Sequence, residues 1–314
     1  MSLQKKRLLT AAILSAPFLA LVGVILQSAA LFTEYDSESG YFAASAPLRL
    51  AVSWFIFAAV LIFSALAIIF RREISSPTYT GSLTVFFSSS FMIVTLLCHA
   101  MTGIFSVPQA DKYTAVFLAL AAIAAVASAV YFALFLTPAS PITTRRALLG
   151  LAPAFLPLFA AMILYFDKTE QINNPIKLLS MLAFLAVACH ALGECRGLFG
   201  RQSPALHFVV TGVALVLSTV SSVPNILYTL AEGKELVLST VNDFLLFSYS
   251  LYLLARLLQM LPYDLPITHH MVRGFLNKMD DGTEDLPQEI VTPEEEPEPE
   301  QISVLAPDEN GSDN

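Results

Sequence analysis

Residues 8 to 32 read LLTAAILSAPFLALVGVILQSAALF, directly after Lys5, Lys6 and Arg7. The run carries no charge, and a helix needs about 20 residues to cross a hydrocarbon core of roughly 30 Å. It also resembles a secretory signal, with a basic start and small residues at Ser28, Ala29 and Ala30. Signal cores, however, are only about 7–15 residues long, so this run reads as a full span.

Working outward, seven further stretches of the same kind follow, at residues 48–70, 82–105, 113–136, 147–166, 176–199, 206–230 and 240–261. The fold class expected is therefore all-α: a polytopic bundle of eight transmembrane helices occupying residues 1–278. Composition agrees, with 56% hydrophobic and 13% charged residues and a mean hydropathy of +0.67. Soluble domains carry about 25% charged residues, and a water-soluble fold has nowhere to hide so much apolar surface.

The formal net charge of −8 conceals two unlike parts. Residues 279–314 hold thirteen of the 25 acidic residues and none of the 17 basic ones, so residues 1–278 carry 17 basic against 12 acidic groups, a net +5. The final segment contains Glu294-Glu295-Glu296-Pro297-Glu298-Pro299-Glu300, a composition that repels itself and buries too little apolar surface to order. It is expected to be a disordered acidic cytoplasmic tail, with Leu286 to Val291 or Ile302 to Leu305 as a docking piece for a protein partner.

Orientation follows from the positive-inside bias. With the N-terminus cytoplasmic, Lys5, Lys6, Arg7, Arg71, Arg72, Arg145, Arg146, Arg196, Arg201, Arg256, Arg273 and Lys278 lie inside, and only Arg49, Lys112, Lys168, Lys177 and Lys234 lie outside. Eight crossings return the C-terminus to the cytoplasm. The expected location is the plasma membrane, with the lipid bilayer as the main partner and no nucleic acid.

Few polar groups remain within the apolar runs. His190 and Glu194 are four residues apart on one helical face and offer two metal ligands or a proton relay. A metal site needs at least a third protein ligand at that depth, and none is evident, so no cofactor is expected. At 1.5 Å per residue, Glu194 lies ~28 Å and Arg256 ~24 Å from the outer starts of their helices, which lets them pair between helices or reach separately for headgroups. His99 belongs near the outer end, some 18 Å in depth from His190. Asn242-Asp243 is expected to cap the eighth helix. Cys98, Cys189 and Cys195 form no obvious pair, and Ala121, Ala125, Ala129 and Ala133 mark a close-packing seam.

Prolines interrupt several runs. Pro17, Pro153, Pro157 and Pro224 each remove a backbone hydrogen bond inside a helix, and broken helices line the path in many carriers. The segment Ser221-Ser222-Val223-Pro224-Asn225, with Ser218 and Thr219, is the most polar within any span. Pro157, Ser218, Ser221, Ser222 and Asn225 are thus the expected cavity lining, and His190, Glu194 and Arg256 the expected intramembrane polar site. A faint echo between Ala16–Leu21 and Pro153–Leu158 suggests two four-helix repeats.

These features suit a solute-handling permease. The alternative is a non-catalytic sensor, assembly factor or partner-docking subunit that uses the acidic tail. An enzyme is the weakest reading, because no nucleophile with its base and no full metal shell is legible. No Gly-rich phosphate loop exists to use ATP.

Overall fold

The computed structural model describes residues 3–36, 39–43, 45–75, 82–134, 136, 148–168, 173–199, 201, 203–232 and 238–262. Within them lie eight helices: α1 (Leu3–Glu34), α2 (Pro47–Ile69), α3 (Leu83–Ser106), α4 (Lys112–Ala133), α5 (Ala152–Phe166), α6 (Pro175–Leu198), α7 (Pro204–Ala231) and α8 (Leu238–Leu258). A 3-10 turn, Val107–Gln109, links α3 to α4. The acidic segment 279–314 and His269-His270 lie outside the described residues.

Seven of the helices are long and apolar enough to cross a membrane, α5 being the exception at 15 residues. The sequence run there extends from residue 147, but the helix starts at Ala152, after a turn at Gly150 and Leu151. The reason is Pro153, which the run alone placed in a helix interior. It sits instead in the first turn, where a missing N–H costs nothing. Pro17, Pro157 and Pro224 do fall inside α1, α5 and α7.

Helix contacts define the layout. α3, α4, α5, α6, α7 and α8 pack each on the next, and α8 returns to α3, closing a ring of six. Tyr249 and Tyr252 of α8, with Tyr131 and Phe132 of α4, are almost fully buried. Tyr252 meets Phe132 edge-on at 5.0 Å between centroids, and Tyr249 Oη donates to the Pro153 carbonyl of α5 at 3.4 Å.

Helices α1 and α2 pack outside the ring, against each other and against α7. Glycines set that approach. A Cβ on Gly23 would come within 2.4 Å of Val220 Cγ2, and one on Gly212 within 3.0 Å of the Phe63 ring. Close backbones of this kind hold helices together in lipid, where no hydrophobic force acts between them. The outward face of α2 exposes Leu50, Trp54, Phe57, Leu61 and Ile68, apolar bulk that water would not tolerate. Of the expected alanine seam of α4, Ala121, Ala125 and Ala129 are buried, whereas Ala133 at the helix end is exposed.

The suggested four-helix repeat does not extend to the packing. α6 packs along α7, whereas its counterpart α2 packs on α1 and α7 rather than on α3. Between α1 and α2 the chain forms a short hairpin unforeseen from the sequence, Tyr35–Asp36 against Tyr41–Phe42. Gly40 turns it with φ +73°, a conformation that suits a residue without Cβ. The Glu34 carboxylate accepts from the Leu48 and Arg49 backbone N–H groups at 2.9 and 3.0 Å, placing an acid on the otherwise unpaired donors of the α2 N-terminus.

Candidate functional site

Two polar regions lie at opposite ends of the α6–α7 pair. The first is at the end where α6 and α8 finish and α7 begins. There Glu194 of α6 accepts on one oxygen from Arg256 Nε of α8 and on the other from Tyr252 Oη, at 2.7 Å. Arg256 also donates through a terminal nitrogen to Gln259 Oε1. Gln259 Nε2 in turn donates to Ser82 Oγ at 3.3 Å, the residue that caps α3. Arg256 is fully buried and Glu194 is 3% exposed, so the pairing anticipated from helix depth forms inside the protein rather than at the headgroups. A buried guanidinium needs such partners because its desolvation is expensive.

His190 lies one turn from Glu194, its Nε2 3.6 Å from Glu194 Oε1. Its Nδ1 is 2.9 Å from Thr211 Oγ1, while Thr211 donates its own hydrogen to the His207 carbonyl at 2.6 Å. A hydroxyl has one hydrogen, so His190 Nδ1 must be the donor to Thr211. Nε2 therefore presents either a lone pair or a second proton to the Glu194 carboxylate. The arrangement can hold a proton between the two.

His207 completes the cluster and was missed by sequence reasoning. Its ring centroid is 5.0 Å from that of His190, it is 3% exposed, and neither ring nitrogen has a hydrogen-bond partner. The available signal was that α6 and α7 are joined by a very short turn, which brings the second residue turn of α7 level with the last turns of α6. Among the described residues, no group of three His, Cys, Asp or Glu side chains is arranged to hold a metal.

Next to this cluster is a cavity of about 230 Å³ lined by Cys189, Gly193, Arg196, Arg201, Ser203 and His207, among others. The second polar region, at the hairpin end, is a cavity of about 170 Å³. It is lined from α6 by Lys177 and Ser180, from α7 by Asn225 and Tyr228, and from α8 by Ser239, Asn242 and Asp243, with Tyr35 contributed by the hairpin. Lys177 is 2% exposed, and its Nζ donates to the Asp167 carbonyl at 2.6 Å; it is a buried wall residue and not the loop charge its sequence position suggested. Asn225 Nδ2 donates to Asp243 Oδ1 at 3.2 Å. Because α8 begins at Leu238, Asp243 stands inside the helix facing α7, not at its cap. Asn242 Oδ1 is buried with no hydrogen-bond partner.

Of the expected lining residues, Asn225 lines this cavity, and Ser221 shares a 2.9 Å hydrogen bond with the lining residue Ser180. Ser218 and Ser222 do not line it; they are buried and donate to the carbonyls of Leu215 and Ser218 on their own helix. Pro157 is also buried, in α5. The serines face helix neighbours because the α7 midsection is enclosed on several sides, by α1, α2, α6 and α8. His99 is buried on α3 and belongs to neither region.

The arrangement is that of an α-helical membrane bundle with polar centres at two depths. No family model matches the sequence, and no curated protein or solved structure is significantly similar to it.

Proposed function

We propose that this chain is a permease for a small zwitterionic solute, with the hairpin-end cavity as its binding vestibule. One observation carries the reading. Cavities lie at both ends of a single helix pair, a polar one at the hairpin end and, at the basic end, one whose arginines, serine and histidine stand among apolar walls that include Leu192, Leu206 and Val210; between them Phe184, Val187, Ala214 and Leu215 form a buried apolar block. A carrier closed at its centre has this form: polar access from either end and no continuous pore. The prolines inside α5 and α7 support it, since interrupted helices are where carriers bend.

The vestibule walls supply both charges, Lys177 and Asp243, with Asn225, Asn242, Ser180 and Ser239 between them. The volume argues for a small solute, because drug-sized ligands take pockets of about 300–1,000 Å³. The unpartnered Asn242 Oδ1 is an acceptor suited to an ammonium group. In this reading the basic end faces the cytoplasm of the plasma membrane, the hairpin faces outward, and the Glu194–Arg256 link closes the inner gate.

The test is uptake of a radiolabelled amino-acid mixture into proteoliposomes. Uptake should fall at least tenfold in Asn242→Ala and Asp243→Asn, the loss that follows when a hydrogen-bonding site loses a polar partner (about 10⁴-fold in strict cases). Ser53→Ala, on exposed α2, should transport normally. Solute binding without flux in the intact chain would turn the same vestibule into a sensor's receptor site. Neither binding nor flux would remove the proposal.

A further inference from the structure

The basic-end cavity plays no part in holding the solute, and its chemistry is different. It is lined by Arg196 and Arg201, both exposed, and by Ser203 and His207. We propose that it is a binding site for a phosphate group, carried by an anionic lipid headgroup or by a soluble phosphate.

Three features converge on that chemistry. The turn between α6 and α7 is closed by a 3.0 Å bond from the Arg201 N–H to the Arg196 carbonyl, which ties together the backbones of two arginines that both line the cavity. Arginine's planar fork matches phosphate oxygens. The cavity also meets the N-terminus of α7. The first helical bond there runs from the His207 N–H to the Ser203 carbonyl, and the Ser203 side chain makes no cap. The N–H groups of Ala205 and Leu206 therefore have no acceptor within the helix, and a long helix directs its positive end at whatever sits before them.

His207 is the independent observation. It stands in the cavity wall, almost wholly buried, with both nitrogens lacking a partner. Buried polar atoms are nearly always satisfied. A phosphate oxygen supplies what His207 lacks, while the ordinary partners around it are already engaged: Thr211 with His190, and Glu194 with Arg256 and Tyr252. An interfacial arginine pair serving only to reach headgroups would need no histidine behind it.

Cys189, which also lines the cavity and is exposed, provides a local reporter. The full chain carrying Cys98→Ser and Cys195→Ser is labelled with a maleimide, first in lipid-free detergent with sodium phosphate against sodium chloride at equal ionic strength. The same labelling is then done in nanodiscs of phosphatidylglycerol against phosphatidylcholine. Occupancy should slow labelling several-fold and raise the melting midpoint by a few degrees. A soluble ligand is indicated if phosphate protects in detergent, and a lipid ligand if only phosphatidylglycerol protects. In either case Arg196→Gln with Arg201→Gln, both at the surface and outside the packed core, should abolish the protection, and His207→Gln should reduce it. Equal labelling in all four conditions, or protection that survives in the double arginine variant, overturns the site.

Discussion

Glu194 shows how much one residue can organise in an apolar medium. It accepts hydrogen bonds from Arg256 and Tyr252 of α8 and faces His190 of its own helix, so α6 and α8 are joined through a single carboxylate. Removing it takes away a carboxylate that pairs with the buried Arg256 charge. Glu194→Ala should therefore destabilise the detergent-purified protein by about 3 kcal/mol, whereas the double replacement Glu194→Leu with Arg256→Met should recover much of that loss. Thermal unfolding of the three variants checks the ordering. Thr211 is the smaller hinge of the same network. Thr211→Val preserves shape but deletes the acceptor for His190 and the donor to the His207 carbonyl, at a cost of about 1–3 kcal/mol.

At the scale of the element, helix ends and helix seams are governed by different physics. The Asp111 carboxylate caps α4, accepting from the Tyr113 and Thr114 N–H groups at 3.0 and 2.9 Å. The Thr114 backbone bond, chiefly, holds the Asp111 carboxyl below its ordinary value, with Lys168 assisting. Because the folded-state value is the depressed one, the cap contributes fully above the ordinary carboxylate range and is lost as pH falls through it. The protection of the Tyr113 and Thr114 amides against hydrogen exchange, relative to their intrinsic rates at each pH, should fall on acidification below that range in the native chain. In Asp111→Ala that protection should already be lost at neutral pH. The seams answer to volume instead. In Gly23→Ala the new methyl would meet Val220 at 2.4 Å and Phe55 at 2.8 Å; Val220 is fully buried and too short to swing aside. A loss of about 1–3 kcal/mol is expected, as for other overpacked positions, and thermal unfolding beside Gly40→Ala, which strains only the hairpin, separates the two causes.

For the molecule as a whole, the contacts that close the ring lie within residues 83–258. Removing residues 279–314 should leave membrane insertion and the melting midpoint unchanged. If the acidic segment docks a partner, the same truncation should abolish recovery of that partner. If the 15-residue α5 crosses along with the seven longer helices, both termini should lie on one side. Protease access to tags at the two ends of the chain in sealed vesicles checks this, and only same-side cleavage agrees with the positive-inside reading.

Much of this was legible in the residues. Each helix lies within a few residues of its apolar run, since a segment in lipid must satisfy its backbone internally and a helix does so using nearby sequence alone. The pairing of Glu194 with Arg256 was also within reach, because both sit near the same ends of their helices. His207, the Lys177 wall and the position of Asp243 were not. Each depends on which helix lies beside which, and on how each is turned about its axis. In a water-soluble bundle a polar face declares that rotation, but helices apolar on every side declare none. The sequence therefore determined where the apolar helices form. The tertiary structure alone decided which side chains share a cavity, because close packing of glycines and alanines, not hydrophobicity, selects neighbours between apolar helices.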